Sequence, residues 1–256
     1  IRQRTDKPFN LNFFCHAPPK PDAAREAKWV ERLAGFRREL GIETPTVPGG
    51  RAPFGEETCA LVEEFRPRVV SFHFGLPADS LLARVKRAGA RVIASATTVE
   101  EARWLEARGV DAVIAQGAEA GGHRGIFLSE DIASQPGTFA LVPQVADAVR
   151  VPVIAAGGIG DARGIVAAMA LGASAVQIGT AYLLTPEATI SPLYRAALKT
   201  ARDDQTVLTN VFTGRAARGL LNRIVREVGP MSAEAPAFPN AFNAVLPLRL
   251  KAEAQG

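Results

Sequence analysis

The chain is poor in residues that build redox or metal frameworks. Its 256 residues include two cysteines, two methionines, two tryptophans, two tyrosines and three histidines. Cys15 and Cys59 stand in no CxxC or Cys/His spacing, which excludes a zinc ribbon and a disulfide scaffold. Cys15 falls in an apolar run and reads as a buried thiol. No hydrophobic run approaches the roughly 20 residues of a membrane span, and no signal peptide is visible, so the cytoplasm is the expected compartment and no membrane partner is expected. The net charge is +4, yet no dense basic run interleaved with aromatics is present, which argues against nucleic-acid binding. Scattered surface arginine accounts for the charge and is compatible with a basic pocket for phosphate. The GxGxxG dinucleotide fingerprint is absent too. The chain opens on Ile1, not Met, and Arg2–Lys7 reads as the end of a helix and a loop, so residues upstream are expected in the natural protein.

What is present is a regular alternation of short apolar runs and helical patterns. Hydrophobic residues make up 47% of the chain and charged ones 22%, ordinary for a globular protein with a substantial core. Strands are read at 9–14, 69–74, 91–95, 111–116, 152–156 and 175–179. Helices are read at 22–40, 56–65, 79–88, 98–108, 138–149 and 161–171. Trp29, Val30, Leu33, Phe36 and Leu40 form one face of the first helix, and Gly41 follows it as a C-terminal cap. Residues 42–55 read as a Pro/Gly-rich loop. Thr98 followed by Glu101 is a capping-box pattern. Nearly continuous hydrophobic strands are those covered on both faces, and strand–helix alternation implies a parallel sheet. Either an open doubly wound sheet or a closed (β/α)8 TIM barrel satisfies this. A barrel needs about two more strands than the six read here. Residues 185–256 read as helices and loops beside the sheet, with a Pro-rich tail from 230 to 247.

Three strand ends carry the chemistry. Asp111–Ala115 runs into Gln116-Gly117-Ala118-Glu119-Ala120-Gly121-Gly122-His123-Arg124-Gly125, a glycine-rich loop with an imidazole suited to proton transfer near neutral pH. Val153–Ala156 runs into Gly157-Gly158-Ile159-Gly160-Asp161, and Gln177-Ile178-Gly179-Thr180 ends the next strand. Backbone amides at such strand–helix junctions bind phosphate, and in (β/α)8 barrels the last two strand ends form that site. A mononucleotide suits this pattern better than a dinucleotide. His73 lies at another strand end, either facing the same pocket or as a buried structural residue. His16 reads as structural or exposed. Tyr182 and Phe212 read equally as pocket or core.

These segments resemble the nitronate monooxygenase family, formerly the 2-nitropropane dioxygenases, in its class I form. The resemblance rests on 116–125 (QGAEAGGHRG), 155–160 (AAGGIG), 177–183 (QIGTAYL), 71–75 (SFHFG), 7–14 (KPFNLNFF) and 212–222 (FTGRAARGLLN). It implies an FMN-dependent TIM barrel, here without about two N-terminal βα units, with an added C-terminal helical region. The expected division is a barrel at 1–184 and an extension at 185–256. The implied reaction oxidises an alkyl nitronate, propionate 3-nitronate foremost, with O2 to a carbonyl product and nitrite. His123 corresponds to the catalytic base that removes the proton α to a nitro group; with a preformed nitronate it would orient or stabilise the anion. Asn12, Gln116, Gly121, Gly158, Gln177, Ile178, Gly179 and Thr180 are the implied FMN contacts. His73 and Arg124 are the implied substrate contacts, Arg124 reading equally as a surface loop residue. Two other readings stay open: a related barrel flavin reductase using NAD(P)H on a quinone or enoyl thioester, and a non-catalytic phosphate-binding fragment. Oligomeric state is not readable.

Overall fold

The computed structural model describes residues 1–43 and 51–255. It begins with β1 (Asn10–Phe14), α1 (Ala23–Arg32), α2 (Ala34–Glu39), α3 (Glu56–Phe65), β2 (Val69–His73), α4 (Asp79–Arg87), β3 (Arg91–Ala96) and α5 (Val99–Ala107). It continues through β4 (Ala112–Gln116), β5 (Gly122–His123), α6 (Thr138–Ala148), β6 (Val153–Ala156), α7 (Ala162–Ala170) and β7 (Ala175–Gln177). The last elements are α8 (Pro192–Thr200), β8 (Thr206–Thr209), β9 (Ala217–Leu220), α9 (Arg223–Val228) and α10 (Ala241–Gln255).

Two compact units contain these elements. The first comprises Ile1–Ala17, Ala52–Ala120 and Gly125–Ile178. Its six strands form one parallel sheet in the order β1-β2-β3-β4-β6-β7. All six strands read from the sequence are present. The register places Phe13, Phe72, Ala94, Val113 and Val153 in one row across five strands. Phe72, Ala94, Val113 and Val153 are buried together with Val85, Leu105, Leu141 and Val145 from the covering helices. Each buried Phe, Val or Leu side chain contributes about 1.5–3 kcal/mol on leaving water, which is why these strands are rich in apolar residues. The outer strands differ: Asn10 and Asn12 on β1, and Ala175 and Gln177 on β7, are exposed.

The second unit comprises Pro18–Arg51, Gly121–Arg124 and Gly179–Gly256. Trp29, Leu33, Val211, Ala241, Val245 and Leu248 lie in its core, and the Trp29 indole N–H donates to the Ala241 carbonyl at 3.2 Å. A three-stranded antiparallel sheet in the order β5-β9-β8 belongs to it. Thus the expectation of helices and loops alone at 185–256 is corrected: β8 and β9 lie there. The expected Pro-rich tail at 230–247 is irregular up to Asn240 and then enters α10, which accommodates Pro247. The helix expected at 22–40 is interrupted at Leu33, next to Ala34-Gly35, where glycine weakens helix formation. Gly41 caps it with φ +63°, its amide donating to the Arg38 carbonyl at 3.1 Å. Residues 44–50 of the loop expected at 42–55 lie outside the described residues.

Candidate functional site

In the first unit, β2, β3 and β4 deliver three polar side chains around Gly125. The Gly125 amide donates to Gln116 Oε1 at 2.7 Å. His73 Nδ1 lies 3.0 Å from Ser95 Oγ, and its ring is flanked by Phe14 and Phe74. A Cβ on Gly125 would meet His73 Cε1 at 2.9 Å, Ser95 Cβ at 3.2 Å and Gln116 Oε1 at 3.3 Å. Gln116, an expected cofactor contact, thus accepts through its carbonyl from its own loop. Ser95 was not singled out in the sequence; its position at the end of β3, level with the His73 strand end, was the signal available. Asn12 stands in mid-strand, not in a strand-end turn. Its Oδ1 accepts from Ser71 Oγ at 2.7 Å, and Ser71 Oγ accepts from Asn10 Nδ2 at 2.7 Å. His16 is buried, with its ring edge-on to Phe74 at 6.4 Å.

A second cluster surrounds the end of β6. Gly157 and Gly158 take φ of +114° and +68°, conformations that glycine adopts without strain. The Thr138 hydroxyl lies 2.9 Å from the Gly157 carbonyl and 2.9 Å from Glu119 Oε2, and the Thr138 amide donates to the same carboxylate at 2.8 Å. Glu119 thereby caps α6 from another segment. A Cβ on Gly117 would overlap the Thr138 backbone, so only glycine fits. Among the described residues, the amides of Gly158, Ile159 and Gly160 have no protein acceptor, which leaves them available to an anion. The start of α7 differs from expectation. Its first amides, Arg163 and Gly164, donate to Asp161 Oδ1 at 2.9 and 3.4 Å. The Arg163 guanidinium, then these amides, hold the Asp161 carboxyl below its usual range. A phosphate would be repelled by that carboxylate, so the anion-binding capacity lies in the turn at 158–160. Gln177 ends β7 and is exposed, and Ile178 follows it, half-buried.

In the second unit, His123 is held in a strand and not on a loose loop. Gly122 pairs with Arg218 and His123 with Ala217 across β5 and β9. His123 Nε2 lies 2.9 Å from Thr213 Oγ1, and the His123 ring meets Phe238 edge-on at 5.2 Å. Thr213 Oγ1 lies 3.3 Å from the Arg215 carbonyl. Arg124 is fully buried (0% exposed), which corrects the surface-loop alternative; its amide donates to the Ala216 carbonyl at 2.9 Å. Gly121 and Thr180 come together, since a Cβ on Gly121 would lie 3.0 Å from Thr180 Oγ1. Gly179 and Thr180 are exposed, and Tyr182 is exposed too. Phe212 lines a largely apolar cavity of about 550 Å³ with Phe36, Leu40, Tyr194, Leu220 and Leu248. Thr213 lies inside the 212–222 motif, which was its only sequence signal.

The family model described as nitronate monooxygenase matches residues 1–256. A nitronate monooxygenase of Pseudomonas aeruginosa is 46% identical over 260 residues, spanning 100% of this chain and 74% of that protein. One from Paraburkholderia phytofirmans is 44% identical over 259 residues, spanning 100% and 71%. Among solved structures, the nitroalkane oxidase from Streptomyces ansochromogenes superimposes with a TM-score of 0.88 at 42% identity, over 99% of this chain and 72% of that one.

Proposed function

We propose, for a chain that belongs to the nitronate monooxygenase family, a flavin-dependent oxidation of alkyl nitronates by O2, giving a carbonyl product and nitrite. Propionate 3-nitronate is the foremost substrate and FMN the flavin. The observation that carries this reading is His123, an imidazole set in a strand and hydrogen-bonded to Thr213. The Thr213 hydroxyl, directed at the Arg215 carbonyl, holds His123 Nε2 at 2.9 Å and fixes the plane of the ring. The imidazole would take the proton α to the nitro group of a neutral nitroalkane. A nitronate arrives without that proton, and the imidazole then serves to orient its anion. The buried Arg124 supplies positive charge from the residue next to His123, and His73, fixed by Ser95, is the other substrate contact in this reading.

The residues present fit a flavin mononucleotide. In the first unit, Asn12, Gln116, Gly158, Gln177 and Ile178 would hold it, the amides at 158–160 taking the phosphate. In the second, Gly121, Gly179 and Thr180 would do so, through amides and one hydroxyl. FMN supplies the redox chemistry, and the protein supplies position and electrostatics. The six-stranded sheet is read as six strands of a (β/α)8 barrel, with about two further βα units needed for closure. The exposed outer strands β1 and β7 support this. We read the barrel part as 1–184 and the extension, which includes β8 and β9, as 185–256. A cytoplasmic setting belongs to the same reading; among the described residues no helix is long and apolar enough to cross a membrane.

The test uses purified holoprotein under anaerobic conditions. A yellow protein whose flavin bleaches with propionate 3-nitronate and not with NADH agrees with the proposal. Rapid bleaching by NADH assigns a quinone or enoyl-thioester reductase instead. A colourless folded preparation that refuses FMN leaves a phosphate-binding fragment.

A further inference from the structure

We propose that Glu101 is a positioning residue for the backbone that follows His123 in the chain, a role that rests on the oxidase reading above. In the sequence Glu101 is one half of a capping box, and half of that device is present: the Glu101 amide donates to Thr98 Oγ1 at 3.2 Å. The carboxylate does more than a cap requires. It is buried at 1% exposure and accepts four hydrogen bonds. Oε2 takes the Thr97 amide at 2.6 Å and the Thr97 hydroxyl at 2.7 Å. Oε1 takes the amides of Phe127 at 2.6 Å and Leu128 at 3.2 Å. Gln135 Nε2 then donates to the Thr97 hydroxyl at 2.5 Å.

Phe127 and Leu128 follow His123 by four and five residues and lie in neither helix nor strand. Backbone donors in such a stretch need side-chain acceptors when they leave water. Gln116 serves the Gly125 amide, and Glu101 serves those of Phe127 and Leu128. Hydrogen bonds to an ionised acceptor are roughly twice as strong as neutral ones, and four donors on two oxygens offset the cost of burying the charge. One carboxylate on α5 thus ties the end of β3 to the backbone that leaves the histidine. The Phe127 ring packs against Trp104 at 5.1 Å, so its side chain stays anchored when the carboxylate is altered. What the carboxylate controls is the path of the main chain.

Glu101→Gln keeps the size of the side chain but turns one acceptor into a donor facing backbone N–H groups. Glu101→Asp keeps the charge and withdraws it by one methylene. Both are measured as FMN-loaded protein by hydrogen exchange over residues 125–130, and by kcat and KM on a neutral nitroalkane and on its preformed nitronate. Exchange at Phe127 and Leu128 is expected to accelerate while Val113 and Ile114 in β4 stay protected. The kcat for the neutral nitroalkane should fall about tenfold, a modest share of what an ångström of misplacement costs. Its KM, and turnover of the nitronate, should change about twofold or less, because the nitronate needs no proton removed. Faster exchange with an unchanged ratio of the two activities makes Glu101 a structural cap and overturns the proposal. So does unchanged exchange, or loss of the fold in both variants. If wild-type protein oxidises no nitronate, the oxidase reading fails on its own, and exchange still decides whether the carboxylate holds this segment.

Discussion

Replacing Gly125 by alanine puts one methyl group where the first unit has no room. The new Cβ would stand 2.9 Å from His73 Cε1 and 3.2 Å from Ser95 Cβ. Carbon atoms rest at about 3.5–4.0 Å, so the imidazole must retreat by at least about 0.6 Å. It is not free to do so: Ser95 Oγ holds Nδ1 at 3.0 Å, and the Phe74 ring lies 4.5 Å from it. Overpacking of this kind costs about 1–3 kcal/mol. Gly125 does not occupy the left-handed region, so alanine adds no backbone strain and restricts the unfolded chain, returning about 0.4–1 kcal/mol. The net loss is about 1–2 kcal/mol, or a fall in Tm of about 2–8 °C for a chain of this size. Urea unfolding measures it, provided the m value is unchanged. The decisive assay is the cycle with His73→Ala, which removes the ring the methyl strikes. In that background Gly125→Ala should be neutral or stabilising, a coupling of about 1–2 kcal/mol. Additivity within about 0.5 kcal/mol would refute the steric argument.

Four further outcomes are expected. His123→Asn should bind FMN yet lose most turnover of neutral nitroalkanes while keeping that of preformed nitronates. Thr213→Val should weaken the same activity and Thr213→Ser restore it; equal losses on both substrates would remove the base assignment. Burial raises the pKa of both the Cys15 and Cys59 thiols, so at pH 8 a disulfide reagent should label neither in native protein and both in denaturant. A native thiol that reacts at the denatured rate would contradict their placement. Asp161, held low by Arg163 and the α7 amides, should cap α7 fully above the ordinary carboxylate value near about pH 4. Its contribution fades as pH falls through the lower folded value. An NMR titration of its carboxyl carbon checks this, and a midpoint at or above the ordinary value counts against the ion pair.

Much of the sheet was legible because its causes are local. Unbroken apolar runs such as Ala112–Ala115 and Val153–Ala156 belong to strands covered on both faces, and all six strands lie in the parallel sheet. Helix starts were legible for the same reason: Thr98 caps α5 through an amide three residues away, and Asp161 caps α7 through amides two and three residues away. The interruption at Leu33 and the strands at 206–209 and 217–220 were harder to read. They are short, and what stabilises β9 is its pairing with β5 and β8, which no local pattern encodes.

By itself, the sequence determined the parallel α/β architecture, the family and the identity of His123 as the residue to watch, since each rests on composition, periodicity or contiguous motifs. Only the tertiary structure decided what holds that histidine and its loop. Thr213 lies 90 residues from His123, Ser95 lies 22 from His73, and Glu101 lies 26 from Phe127. Hydrogen bonds depend on distance and angle at the scale of tenths of an ångström, and those are set by strand register and helix placement. The burial of Arg124 and the missing space at Gly117 and Gly125 have the same origin, because a residue's surroundings are made by segments that are distant along the chain.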